Sequence, residues 1–202
     1  MGQITDKTEA LSAVKADSWE LENVSDDLRA DKEIVMAAVE NNGDVFEYAS
    51  DDLKADKEVL MAAVKYDVWS MQYVSDELKA DKEFMTSLVS LNGWVLEHVS
   101  DDLKADKEVV LAAVKENGDV FQFSSDELKK DKEVIMAALV NSYEALKYAS
   151  DDLKADKEVA MEAVKISAFA LEHVSDDLKA DKEFVISAVK LVGWGLQYAS
   201  ED

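Results

Sequence analysis

The fold class predicted by the sequence is all-α, an α-solenoid of eight 25-residue helical-hairpin repeats. Two recurrences and one absence predict it. Ser stands at 25, 50, 75, 100, 125, 150, 175 and 200, and Asp at 6, 31, 56, 81, 106, 131, 156 and 181, with no insertion between copies. A fixed period of about 20–50 residues marks an architecture in which each repeat buries its apolar face only against its neighbours. Pro is absent from all 202 residues, where average usage of about 5% predicts roughly ten. Helices joined by short turns follow. The expected organisation is one repeat-array domain over 1–202, with repeats at 1–25, 26–50, 51–75, 76–100, 101–125, 126–150, 151–175 and 176–200.

Each element of the repeat has local reasons. In repeat 2, DDLRADKEIVMAAVENNGDVFEYAS, Asp31 precedes an apolar run and is placed to accept the first free N–H groups of a helix. Glu33 suits the positive end of that helix. Ile34, Val35, Met36, Ala38 and Val39 cover more than one face, so this helix should lie mostly buried between neighbours. Lys occupies the helix end in five of the eight copies, at 15, 65, 115, 165 and 190, where a cation meets the negative end of the dipole. Two positions on stand Asp17, Asn42, Asp67, Asn92, Asn117, Ser142, Ser167 and Val192. All but the valine are favoured capping types, so a second helix should begin at once, closing a tight αα-hairpin. That helix should turn Val45, Phe46 and Ala49 inward. Ser50-Asp51-Asp52-Leu53 then reads as a capped single turn with Leu53 in the core, leading to the next helix at Asp56.

The recurring pattern LKADKEVVxAAVKxNGxxLxYASDDLKAD, carried for example by residues 103–125 and 178–200, resembles a short bacterial tandem helical repeat family catalogued only as a domain of unknown function. The resemblance spans nearly the whole chain. It implies an all-α tandem array and supplies no catalytic motif. Residues 141–150 and 166–175 lack the Asn-Gly pair of the pattern, so the hairpin there must turn without glycine.

Composition narrows the function classes. With 48% hydrophobic and 33% charged residues the chain has material for a core and a well-solvated surface. Cys is absent, which excludes disulfides and thiolate metal sites and fits a reducing compartment. The N-terminus carries no basic stretch followed by an apolar one, and no apolar run approaches the roughly 18 residues that span a bilayer. A soluble, cytoplasmic protein is expected. The formal net charge of −23 disfavours direct binding to nucleic acid and to anionic membranes, and it permits a basic protein partner.

Candidate chemistry competes at each position with a structural role. Asp26 and Asp27, near Asp31 and Glu33, could serve calcium or acid–base chemistry, but the same set recurs along the chain and lacks the glycine of a calcium loop. Caps and solvation explain it better. His98 and His173 occupy the position held elsewhere by Tyr48, Tyr73, Phe123, Tyr148 and Tyr198, so they substitute for a packed aromatic. The recurrent Ser has no His base nearby in sequence and no nucleophile elbow. No catalytic residue, metal ligand or cofactor is expected, and the protein is read as a non-enzyme.

Variation against a constant scaffold is the remaining signal. Two positions three residues apart change together: Ala16 with Trp19, Asn41 with Asp44, Tyr66 with Trp69, Leu91 with Trp94, Glu116 with Asp119, Asn141 with Glu144, Ile166 with Phe169, and Leu191 with Trp194. Repeats 2, 5 and 6 carry the polar pairs, so two apolar zones flank a polar gap along the hairpin edge. Trp and Tyr are enriched at interface hot spots. The candidate partner-binding residues are therefore Tyr66, Trp69, Leu91 and Trp94, and separately Ile166, Phe169, Leu191 and Trp194. The competing explanation is that each Trp fills a gap between adjacent hairpins.

The function expected from these observations is a non-enzymatic protein-interaction scaffold presenting an acidic solenoid surface with aromatic patches. One alternative is a nucleic-acid mimic that occupies a basic DNA- or RNA-binding protein. Its weakness is charge density: repeats stacked at about 10 Å give about one net negative charge per 3.5 Å, against one per about 1.7 Å in duplex DNA. A second alternative is a self-assembling structural protein, since Val192, Gly193, Trp194 and Gly195 leave repeat 8 without an obvious polar cap and the sequence stops in register for another repeat. End-to-end self-association would follow.

Overall fold

The capping signals act where the sequence places them. In a computed structural model, which describes residues 3–192 and all but the last of their side chains, Asp31 Oδ1 accepts the Glu33 N–H at 3.0 Å and opens the helix Lys32–Val39. Asp56 Oδ1 accepts from Glu58 and Val59 at the start of Lys57–Tyr66, and Asp106 does the same for Glu108 and Val109 at Lys107–Glu116. Among the described residues no strand forms, and an isolated parallel bridge joins Ile4 to Val24. The protein has an all-α repeat fold.

The chain divides into two compact halves, Met1–Ser100 and Asp101–Asp202, and the boundary falls between repeats 4 and 5. In the N-terminal half the long helices Lys7–Ala16, Lys32–Val39, Lys57–Tyr66 and Lys82–Leu91 pack each against the next. In the C-terminal half Lys107–Glu116, Lys132–Ala138, Lys157–Ile166 and Lys182–Val192 do likewise. Ile34, Val35, Ala38 and Val39 are fully buried, as are Val45 and Phe46 from the second segment. Each fully buried Val, Leu, Ile or Phe contributes about 1.5–3 kcal/mol.

The second helix of the hairpin differs from expectation. It is a 3-10 helix of five or six residues: Ser18–Asn23, Gly43–Tyr48, Val68–Tyr73, Gly93–Glu97, Gly118–Phe123 and Ala168–Glu172. Its end is closed by i→i+3 bonds such as Ala49 N–H to Phe46 C=O at 3.1 Å. A six-residue segment rises about 12 Å as a 3-10 helix and about 9 Å as an α-helix, so the tighter coil covers more of the long helix it packs on. The predicted caps hold for these segments: Asp17, Asn42, Asp67, Asn92, Asn117 and Ser167 each accept the N–H two residues on. Repeat 6 is the exception. Its long helix stops at Ala138, its second segment is a four-residue α-helix, Ala145–Tyr148, and Ser142 turns its hydroxyl to the Asp119 carboxylate instead of capping.

The linker is the capped turn the sequence implies. Ser50 Oγ accepts the Leu53 N–H at 3.4 Å over Asp51–Lys54, and Leu53 is buried. The Ser N–H at the end of a repeat bonds back to the carbonyl at the end of its own linker turn, as in Ser50 to Arg29, Ser100 to Lys79, Ser125 to Lys104 and Ser175 to Lys154, at 3.0–3.1 Å. In repeat 1 Ile4 takes the equivalent place, accepting from Ser25 and donating to Asn23. Adjacent repeats approach closely at Gly43, where a Cβ would lie 2.6 Å from the Ala63 carbonyl oxygen and 2.8 Å from the Asp67 Cβ.

Candidate functional site

The edge of the hairpins, where the long helix hands over to the 3-10 segment, holds the predicted partner-binding residues. In the N-terminal half Tyr66 ends its helix 56% exposed and Trp69, two residues past the Asp67 cap, is 64% exposed. Leu91 and Trp94 occupy the same places in repeat 4 and are 39% and 36% exposed. In the C-terminal half Ile166, Phe169 and Leu191 are also exposed. Trp194 lies outside the described residues, as do Gly193, Gly195 and the side chain of Val192. The local reason for this placement is the cap: Asp67 or Asn92 fixes the backbone N–H of Trp69 or Trp94 at 3.0–3.1 Å and directs the side chain away from the inward-facing Met71 or Leu96.

Two of the edge tryptophans also touch the next repeat. Trp19 meets Tyr48 edge-on with ring centroids 6.3 Å apart, and Trp69 meets His98 in the same manner at 6.1 Å. In the C-terminal half, where Glu144 replaces the Trp, its carboxylate lies 3.5 Å from His173 Nε2. The two histidines thus sit where the sequence places them, as members of the recurring aromatic position. A T-shaped contact of this kind contributes about 0.5–1.5 kcal/mol. Trp69 thus contacts its neighbour while most of its surface stays in water.

Other exposed apolar side chains were not singled out from sequence: Val140 at 75%, Met61 and Ile186. Val140 stands at the helix-end position that carries Lys in five repeats, a departure visible in the alignment of the repeats with one another. Near the first patch, Asp67 of repeat 3 lies against Gly43 of repeat 2, the residue before Asp44. Burial first, and then Asp44 beside it, push the Asp67 carboxyl above its ordinary range, against the lowering effect of the Trp69 N–H.

A second polar system was hidden from local sequence reasoning. In six repeats, three in each half, the lysine after the capping Asp reaches the capping Asp of the next repeat. Lys7 pairs with Asp31, Lys32 with Asp56 and Lys57 with Asp81 in one half, and Lys107 with Asp131, Lys132 with Asp156 and Lys157 with Asp181 in the other, at 2.5–2.8 Å. Lys7, Lys32, Lys107 and Lys132 also meet the Glu two residues beyond that Asp. The lysine hydrogen bond holds the carboxyl of Asp31, Asp56, Asp81, Asp131, Asp156 and Asp181 below the usual range, with the helix N–H groups adding to it. Among the described residues no three His, Cys, Asp or Glu side chains gather as a metal would require. No helix among them is long and apolar enough to cross a membrane.

The 25-residue register decides the family. A family model described as a domain of unknown function, DUF4116, matches residues 6–54, 38–79, 56–104, 81–129, 106–154, 131–179 and 156–202. The chain belongs to the DUF4116 family. No curated protein and no solved structure matches it. Each DUF4116 match spans about two of the repeats described above, in keeping with a repeat whose Lys–Asp pairs need a neighbour. The DUF4116 scaffold is thus the capped helix, 3-10 segment and linker turn. The paired edge positions are where this member differs from repeat to repeat.

Proposed function

We propose that this protein is a non-enzymatic, cytoplasmic interaction scaffold that binds a protein partner through the apolar hairpin edge. The observation that carries the reading is the exposure of Tyr66, Trp69, Leu91 and Trp94 on consecutive repeats, against polar residues at the same positions in repeat 2. Keeping bulky apolar groups in water has no folding benefit, whereas aromatic anchors of this kind carry much of the energy of protein interfaces. Ile166, Phe169 and Leu191 offer a comparable surface in the C-terminal half. The acidic surface, at a formal net charge of −23, speeds encounter with basic proteins and repels anionic ones.

The test is capture from cells of the native host with wild type and Trp69→Asp/Trp94→Asp as bait. The substituting residue is the one repeats 2 and 5 carry at that position. A partner retained by wild type and lost by the double variant, with the helical spectrum unchanged, is the expected result. Retention of all partners by the double variant refutes the reading. Recovery only of DNA- or RNA-binding proteins, independent of Trp69 and released by moderate salt, would move the assignment to nucleic-acid mimicry.

A further inference from the structure

We infer that Met61 is a modification site: a peroxide-class oxidant converts its thioether to the sulfoxide on the surface of the folded protein, and Met161 is its counterpart in the C-terminal half. The inference is independent of the reading of the hairpin edge as a contact surface.

The methionines are unevenly placed. Of the seven in the chain, Met36, Met61, Met136 and Met161 share one repeat position, the fifth residue after the capping Asp. Repeats 1 and 5 carry Leu11 and Leu111 there, so the helix accepts a side chain of similar size without sulfur. The position lies on the outer side of the long helix. Leu60 and Val64 beside it are fully buried, whereas Met61 is 39% exposed and Met36, Met136 and Met161 are partly exposed. Met161 lines an open groove between the long helices of repeats 7 and 8, together with Lys157, Phe184 and Ser187. The other methionines among the described residues, Met71 and Met85, are fully buried.

The chemistry follows from access. Cys is absent, so no thiolate competes for a two-electron oxidant and the thioethers are the sulfur available to react. A thioether has no proton to lose, and its reaction needs neither a base nor a shifted pKa. The sulfur lone pair takes one oxygen of hydrogen peroxide, the O–O bond breaks, and the proton of the transferred oxygen passes to the departing hydroxide. Sulfoxide and water result; sulfur loses two electrons and the peroxide gains them. The product is polar where the thioether was apolar, and in a core it disrupts packing. At an outward helix position the new oxygen stays in water and the fold persists. Oxidation thus turns an apolar stretch of the long-helix surface polar without changing its charge, and reduction restores it.

The experiment treats the full chain with hydrogen peroxide at neutral pH and follows each methionine by peptide mass mapping. Met61 is expected to gain oxygen at least about tenfold faster than Met71 and Met85, with Met161, Met36 and Met136 between them, because exposure sets the order. The helical spectrum is expected to hold meanwhile. In urea that unfolds the chain, Met71 and Met85 are expected to react as fast as Met61. Met61→Leu/Met161→Leu, with the residue that repeats 1 and 5 carry, is expected to leave the rates of Met71 and Met85 unchanged. Methionine sulfoxide reductases of both epimer specificities, with dithiothreitol as reductant, are expected to return Met61 to the thioether on the folded chain. Oxidation of Met71 or Met85 in step with Met61 in the folded protein assigns the reaction to opening of the whole fold and overturns the site. Slow reaction of the buried pair even in urea overturns exposure as the cause. Loss of the helical spectrum as Met61 reacts, slower oxidation of Met71 and Met85 in the double variant, or a Met61 sulfoxide that resists both reductases makes the change a lesion and overturns the inference as well.

Discussion

Asp56 serves two sets of partners: Oδ1 holds the N–H groups of Glu58 and Val59, and both oxygens accept from Lys32 of the preceding repeat, Oδ1 at 3.0 Å and Oδ2 at 2.8 Å. One side chain therefore starts its own helix and fastens it to its neighbour. Asp56→Ala removes both functions and should cost about 1 kcal/mol or more from the cap alone. Asp56→Asn retains the cap and should cost less, and urea denaturation of the pair of variants checks the order. The same arrangement recurs in both halves, and it sets a pH dependence. Because the folded carboxyls of Asp31, Asp56, Asp81, Asp131, Asp156 and Asp181 are depressed, their contribution is complete above the ordinary Asp value of about 3.9 and is lost as the pH falls through the folded values. Thermal midpoints should hold from neutral pH to about 5 and fall below about 4. A midpoint that rises on acidification would contradict the pairing. The cap was legible because it acts within three residues. The lysine ladder was not, since a spacing of 24 residues has meaning only once the packing of neighbouring repeats is known.

At the scale of elements, the long helices and linker turns follow from local chemistry, and the hairpin's second segment shows where such reading stops. Val45, Phe46 and Ala49 give the inward face correctly, but six residues do not distinguish α from 3-10 winding by composition. Packing against the long helix decides it. Repeat 6 departs for a similar reason: Ser142 has the chemistry of a cap, yet Asp119 of repeat 5 offers its hydroxyl a carboxylate acceptor. Gly43 is set by contact, since a methyl there meets the Ala63 carbonyl at 2.6 Å. Gly43→Ala should therefore destabilise by about 1–3 kcal/mol, the range of overpacked sites. Substitution at Ala168, the same repeat position with a side chain already present, tests whether the cost belongs to the close approach. Ala168→Ser should stay within about 1 kcal/mol by calorimetry.

For the molecule as a whole, the covariation of the paired edge positions was readable from the repeats aligned on one another, and their exposure required the structure. The sequence could not tell a Trp wedged between hairpins from one that touches a neighbour and stays mostly exposed. Trp69 does the latter, touching His98 while 64% exposed. The approach of Asp67 to Gly43 likewise appears only when repeats 2 and 3 are brought together. What separates a contact surface from a structural filler is the stability cost of removing it. Chemical denaturation of Trp69→Asp and Trp94→Asp measures that cost. A surface role predicts a loss of about 1 kcal/mol for Trp69→Asp, the value of one edge-to-face contact, and no more than that for Trp94→Asp. A loss of about 3 kcal/mol or more for each, the range for truncating a core aromatic, would make these tryptophans part of the fold and contradict the account.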